Sequence, residues 1–525
     1  MSEAVRTYTG NRSAGYSKYR RRRNKRKGLF RAVTALFFAT LLWSWWSTRD
    51  VHSLGALLPN DQAYYLCAPD FLQRRAAIAE SAAWNAVPES SSLHTIRQAL
   101  SNRFGQAEWL VNNVFQGPVY LSGQDLDKFS DVLFATRMSR IGALAEKAFS
   151  LFPSVKNKKV GEVRLRYIES SGYYYAVRGR ILLVSRSDAA LAGALTLPAE
   201  RMLGEDALAA LATREGDADL VCTFHSSGSE WVANVVENAQ FSAQWLPRAF
   251  RIHFQGSPRQ EWRERLAPLL EGVTPQPLPA PLDGLISVSC NFEKTLPQLW
   301  TGIATAWGDS FPLASVPDFV ATPFRKTEAW SAFGDNLARH LGPAIRLTLG
   351  AVDQNAMLPT PEFAAQCQLI ADDTPAWPPE IEADPAGYTP EDMTPRFDKE
   401  SQRLTIPTVD GPSLQPTFAA YGDGVFVSTS SALAEAILAV PPKEDILPQP
   451  ANLFVRIQPH ATLDAFYNGA LQFVQLGLVR NYDPATFEAA VTPWLRQCEQ
   501  VHSIVASASY EDGTIRLDAE LSMLP

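Results

Sequence analysis

Two seventeen-residue stretches, 243 positions apart, constrain most what this chain can fold into. Residues 179–195 (GRILLVSRSDAALAGAL) and 422–438 (GDGVFVSTSSALAEAIL) are identical at six positions: Gly179/Gly422, Val184/Val427, Ser185/Ser428, Ser187/Ser430, Ala189/Ala432 and Leu195/Leu438. Each reads as the second strand of a hairpin, entered through Arg178-Gly179-Arg180 or Gly422-Asp423-Gly424. Each strand ends at a serine placed to cap an Ala/Leu-rich helix. The strands before them are Tyr173–Val177 and Thr417–Tyr421. A second pattern, a turn with Asp, Asn or Pro leading into an apolar strand, occurs four times: Leu58–Cys67, Asp217–Phe224, Pro281–Cys290 and Pro450–Ile457. The series pattern, hairpin–helix, pattern runs through once and then again, with a spacing of 226 from Asp61 to about Ser287.

The shared order points to an internal duplication, with a first half over residues 55–273 and a second over 282–525. The Pro-alternating stretch 274–281 favours extended polyproline II and serves as the linker. The second half carries an insertion, residues 371–395, with six prolines and seven acids. Helix-like stretches are Phe71–Ala86, Ser139–Leu151, Glu230–Ala239, Gln260–Glu271 and Thr462–Leu478, and the chain closes on a hairpin, Ser503–Leu521, turning at Glu511-Asp512-Gly513. Helices interleaved with hairpins predict an α+β fold with mainly antiparallel sheets rather than a doubly wound parallel one. With 525 residues, 46% of them hydrophobic, the chain can bury a large core.

Charge is segregated. Residues 1–31 hold eleven Lys or Arg against Glu3, a balance of +10 in a chain of formal charge −7, so the rest carries −17. The run Arg20, Arg21, Arg22, Arg23, Lys25, Arg26, Lys27 could bind nucleic acid or anionic lipid. The apolar segment directly after the run favours the membrane. Residues 29–46 (LFRAVTALFFATLLWSWW) contain one charge, Arg31, beside the basic end, and Trp43, Trp45 and Trp46 at the other. Eighteen helical residues span about 27 Å, close to a hydrocarbon thickness of about 30 Å. Arg31 can snorkel to the headgroups and the tryptophans suit an interfacial belt. The expected organisation is a basic cytoplasmic tail, 1–28, a transmembrane helix, 29–47, with the N-terminus inside, and an extracytoplasmic remainder, in the periplasm if the cell has two membranes. A cleaved signal peptide is the alternative, although no small-x-small cleavage pattern comes after the apolar stretch.

No residues are singled out for catalysis, cofactor binding or metal. The seven histidines, His52, His94, His225, His253, His340, His460 and His502, show no metal-ligand spacing. Ser226–Glu230 (SSGSE) comes after a strand but is a turn and helix cap rather than GxSxG. Neither GxGxxG nor GxxxxGK[ST] occurs. Cys67, Cys222, Cys290, Cys367 and Cys498 have no CxxC spacing and read as small buried hydrophobes, with one or two disulfides open as an alternative. The acidic insertion reads as a solvated loop, with calcium binding or a protein contact through Trp377 and Tyr388 as alternatives. Of Tyr173, Tyr174 and Tyr175, alternation on a strand sends at least one into the core, which weakens a glycan-stacking reading.

The motifs Leu58-Pro59-Asn60-Asp61, Val184-Ser185-Arg186-Ser187 and Val427-Ser428-Thr429-Ser430, behind a basic tail and a single anchor, resemble a broad class of bacterial envelope proteins of unknown function. The resemblance supplies no catalytic residues. The expected role is a non-catalytic binding or scaffolding protein held at the cytoplasmic membrane, with an envelope protein or glycan as partner and nucleic acid disfavoured. The alternative is a hydrolase of an envelope polymer.

Overall fold

The computed structural model describes residues 33–40, 42–46, 48–49, 52–86, 108–124, 131–150, 152–212, 218–225, 235–270, 273, 284–291, 294, 296–307, 335, 339–353, 360–369, 396–398, 403–406, 414–421, 424–439, 450–477, 479 and 483–524. The tail 1–28, the linker 274–281, Ser226–Glu230 and the insertion 371–395 lie outside them.

The strands in chain order are β1 (Tyr64–Ala68), β2 (Val119–Gly123), β3 (Leu133–Arg137), β4 (Val155–Val160), β5 (Val163–Ile168), β6 (Tyr173–Arg178), β7 (Ile181–Ser185), β8 (Leu220–His225), β9 (Val236–Trp245), β10 (Ala249–Pro258), β11 (Ile286–Asn291), β12 (Leu341–Asp353), β13 (Thr360–Leu369), β14 (Arg396–Asp398), β15 (Arg403–Thr405), β16 (Thr417–Tyr421), β17 (Gly424–Ser428), β18 (Leu453–Ile457), β19 (Val501–Glu511) and β20 (Thr514–Met523). The fold is mixed α+β, built on antiparallel strand pairs.

The chain divides into two compact units that cut across the two sequence halves. One holds Met1–Asn60, Trp109–Gly117 and Leu133–Leu208, and the other Asp61–Glu108, Pro118–Val132 and Ala209–Pro525. The smaller unit carries a sheet in the order β3-β7-β6-β5-β4. In the larger unit the order is β2-β1-β8-β9-β10-β20-β19-β18-β11-β12-β13-β17-β16-β15-β14. Outward from the β10–β20 pair, the order β10-β9-β8-β1-β2 is answered by β20-β19-β18-β11-β12. The smaller unit's β3-β7-β6-β5-β4 is answered by β13-β17-β16-β15-β14.

Register agrees strand by strand. Tyr174 faces Ser185 and Thr417 faces Ser428, and both members of one pair lie 243 residues from their counterparts in the other. Val236 and Val501, which open β9 and β19, are 265 apart. Tyr64 and Ile286, which open β1 and β11, are 222 apart, so the pairing shifts the expected spacing of 226 by four residues. In the β10–β20 pair, His253 faces Asp518, a residue 265 further on and thus its own counterpart. The four recurrent turn–strand patterns become β1, β8, β11 and β18, which pair as β1–β8 and β11–β18.

Local chemistry sets the elements. The β19–β20 turn puts Asp512 (φ 50°) and Gly513 (φ 74°) in the left-handed region, as a two-residue hairpin of matching twist requires. Ser187 Oγ accepts from Ala190 N at 3.2 Å, and Ser430 Oγ from Leu433 N at 3.1 Å, so the two hairpins end in the same helix cap. The helices of this pair are Asp188–Leu195 and Ser431–Ala439. In the larger unit, Phe418, Val425 and Leu404 on one sheet face pack with Leu269, Leu299 and Leu341, under the helices Gln260–Leu270 and Leu296–Trp307. Ala419 and Phe426 on the opposite face pack against Ala434. With both faces covered, the strands read as nearly continuous apolar runs.

One expected helix is a strand: Val236–Ala239, the end of the helix-like stretch 230–239, opens β9. Its sequence, VENAQFSAQW, has no strict alternation, and pairing with β8 on one side and β10 on the other overrides the helix formers Glu237, Ala239 and Gln240.

Candidate functional site

Within the smaller unit, residues 33–40 and 42–46 are helical, while Arg31 and the orientation residues Arg20–Arg23, Lys25, Arg26 and Lys27 lie outside the described residues. Among the described residues no helix is long and apolar enough to cross a membrane. Eight large apolar side chains of this segment are exposed, from Trp45 at 55% to Leu36 and Trp46 at 69%.

The segment has a seat in the same unit. Phe38, Leu42, Trp45 and Thr48 line a cleft with Arg140 and Leu144 of the helix Arg140–Phe149. Lys147, one turn on from Leu144, stands over the Trp43 ring with Nζ 4.8 Å from the centroid, and burial pulls its pKa below the usual lysine value. Arg49 lies 6.0 Å from the Trp46 ring. Residues 140, 144 and 147 form one helical stripe, so the segment's tryptophan end runs along it. Sequence reading found the tryptophans but not this stripe, whose residues are far away in the chain.

Ser139 fixes the seat. Its Oγ accepts from Gly142 N at 2.8 Å as helix cap and donates to Asn113 Oδ1 at 2.6 Å, tying the helix to its neighbour Glu108–Val114. A Cβ at Gly142 would overlap Asn113 O, so the two helices approach at the limit of backbone contact. Behind the helix, Glu146 pairs with Arg166 of β5, and Arg166 stands over the ring of Tyr175. Tyr175 is the buried member of the three tyrosines, and burial pushes its phenol upward. Tyr174 lies tilted against Tyr167, ring centroids 4.7 Å apart, and under Lys158, while Tyr173 lies under Arg186. These tyrosines are engaged in cation–π and ring contacts within the unit.

In the larger unit, Ser242, His253, Asp518 and Ser507 stand side by side in register on β9, β10, β20 and β19. His253 Nδ1 is 2.6 Å from Asp518 Oδ1. The row contains serine, histidine and aspartate in the order of a hydrolytic triad. Yet Ser507 is the counterpart of Ser242 as Asp518 is of His253, which makes the row a repeated feature of the β10–β20 seam. Ser242 is buried in mid-strand on a sheet face, unlike a nucleophile raised on a turn.

A second polar feature of the larger unit is the lock at Asp219, whose carboxylate is buried. It receives Arg74 Nε at 2.5 Å, Arg74 Nη2 at 3.2 Å and Trp245 N at 2.7 Å. Asn452 is its counterpart, and its Oδ1 accepts from Tyr510 N at 2.8 Å, Tyr510 being the counterpart of Trp245.

All five cysteines are free thiols. Leu66 faces Cys222 and Cys67 faces Val221, so Cys67 and Cys222 point to opposite sides of the sheet and cannot be bridged. Cys290 and Cys367 flank Ile345 from the strands on either side, roughly 9.6 Å apart at two strand spacings, again beyond disulfide reach. Burial pushes the thiols of Cys222, Cys290 and Cys367 up to about 12. No group of three His, Cys, Asp or Glu able to hold a metal occurs among the described residues.

No family model matches the sequence, and no curated protein matches it. Solved structures of TP0453 are similar to part of the chain. Crystal form III is 12% identical over 40% of this chain and 80% of that one, with a TM-score of 0.25. Crystal form I is 12% identical over the same shares, with a TM-score of 0.27.

Proposed function

We propose that this is a non-catalytic binding or scaffolding protein held at the cytoplasmic membrane by residues 29–47, with its bulk on the extracytoplasmic side. The observation that carries the reading is the row of exposed apolar side chains along residues 33–46, ending in Trp43, Trp45 and Trp46. Such a surface is unfavourable in water and favourable in lipid, and the basic run before it orients the N-terminus inward. The chain is two copies of one α+β plan, residues 55–273 and 282–525, which meet edge to edge through β10 and β20. Mirrored strand order, matching registers and the repeated serine caps support that duplication. The sheet of the larger unit is the frame, and its role is to present surfaces to an envelope protein or glycan.

Protease accessibility in intact and permeabilised cells, with a C-terminal tag and mass analysis of the N-terminus, tests this. Protection until the outer barrier is opened, with residue 1 retained on the membrane-bound chain, is expected. A chain in the soluble cytoplasmic fraction, or one cut after the apolar stretch, would overturn the anchored reading.

A further inference from the structure

We propose that the smaller unit makes a second contact with the bilayer: Trp109, Leu110, Ile141, Phe149 and Phe152 rest in the headgroup layer beside the tryptophan end of the anchor. This rests on the anchored reading above. Of eighteen large hydrophobic residues found exposed among the described residues, eight belong to the segment 33–46 and five are these; the remaining five fall in the larger unit, which holds most of the chain. Exposure of the five runs from 48% at Phe149 to 59% at Ile141. Phe149 and Phe152 have ring centroids 5.7 Å apart, and Ile141, Ala145 and Phe149 succeed one another at helical spacing. Trp109 and Leu110 belong to the helix tied through Asn113 to the start of the same helix.

The occupant is identified by continuity. The helix Arg140–Phe149 has one stripe, Arg140, Leu144 and Lys147, against the anchor segment, and the neighbouring stripe, Ile141 and Phe149, is uncovered. Gly142 and Ala143 face the protein interior. Lys147 over Trp43 places the Lys147–Phe149 end of this helix at the depth of the tryptophans, which in an anchored chain is the membrane–water interface. Aromatic and aliphatic side chains rimmed by Arg140 and Lys147 suit a surface of acyl chains and phosphate headgroups.

The test uses the full chain, carrying Cys498→Ser, in vesicles of phosphatidylcholine and phosphatidylglycerol. A polarity-sensitive fluorophore is attached to Cys in Phe152→Cys, Thr40→Cys or Glu162→Cys. Glu162 is exposed in the β4–β5 turn, and β4 carries the chain roughly 17 Å from the Phe152 end. Quenching is read with aqueous iodide and with lipids spin-labelled near the headgroup for the probes at 152 and 162, and deep in the acyl chain for the probe at 40. The probe at 152 should be quenched by the lipid and lose most of the iodide quenching seen at 162. Iodide quenching at 152 equal to that at 162 overturns the proposal. Protection at 152 without lipid quenching also overturns it, pointing to a protein cover such as a second copy. The probe at 40 reports on the anchor alone: lipid contact there with an iodide-accessible 152 leaves the anchor standing and removes the second contact. Iodide access at 40 removes the anchor.

Discussion

Replacing Arg74 by leucine should be among the more damaging single changes in the larger unit, and pairing it with Asp219→Asn should restore most of the loss. The Asp219 side chain has no exposed surface, while Arg74 keeps 36% of its own. In Arg74→Leu the carboxylate stays buried with Trp245 N as its remaining described donor. Breaking a buried pair costs about 3–5 kcal/mol, and partial hydration around the half-open Arg74 site argues for the lower end, about 3 kcal/mol. Asp219→Asn alone leaves the guanidinium able to reach water and Trp245 O, its acceptor at 3.0 Å, so its cost should be nearer 1 kcal/mol, give or take about half of that. The double variant reproduces the neutral arrangement of the second half, where Asn452 receives Tyr510 N and the helix Leu296–Trp307 carries no basic residue. If the 525 residues melt together at about 2.1 cal/mol/K each, the entropy is about 1.1 kcal/mol/K, and 3 kcal/mol lowers the Tm by about 3 °C. Calorimetry of the four proteins in one detergent measures this. A Tm for Arg74→Leu within about 1 °C of the parent, or a double variant as low as the sum of the singles, would refute the argument.

Other expectations concern single sites. With thiols pushed up to about 12, Cys222, Cys290 and Cys367 should carry about one thiolate in ten thousand at pH 8 and resist iodoacetamide in the folded chain, reacting only on denaturation; mass spectrometry after alkylation decides. Gly142→Val drives a side chain into the Asn113 carbonyl and should cost about 1–3 kcal/mol by thermal melting, whereas no loss would mean the two helices can part freely. Gly513→Val forces a β-branched residue to φ 74° and should cost about 1–2 kcal/mol, with amide-exchange protection lost first in β19 and β20. Lys158 hydrogen-bonds Asp188, lowering the carboxyl's pKa and raising its own. The Asp188 contribution is therefore present above about pH 4 and lost as pH falls through the lowered folded value, and the Lys158 contribution is present below about pH 10.4 and lost as pH rises through the raised one. Lys158→Ala should flatten both limbs of the pH–Tm curve, and an unchanged curve would show the pair to be energetically silent.

The hairpins at 173–185 and 417–428 and their serine caps were legible because turn, strand and cap are decided within a few residues. The same holds for Asp512-Gly513. The apolar segment 29–46 was legible as composition, but the seat of its described residues on Arg140, Leu144 and Lys147 was not, because each of those three reads alone as an ordinary helix position. The spacing of 226 between the first turn–strand patterns was four residues off, since short apolar strands slide past one another in sequence and only hydrogen-bond register fixes them.

The sequence by itself determined an α+β plan with antiparallel strands, the segregation of positive charge into the first residues, and the hairpins, because these depend on local backbone preference and on composition. Tertiary structure decided what depends on distant partners. It made β9 a strand, set His253 opposite Asp518 at the β10–β20 seam, and brought Arg74 to Asp219 across 145 residues. The physical reason is that a strand edge or a buried charge is satisfied by whichever partner the completed sheet delivers, and nothing within its own neighbourhood specifies which one that is.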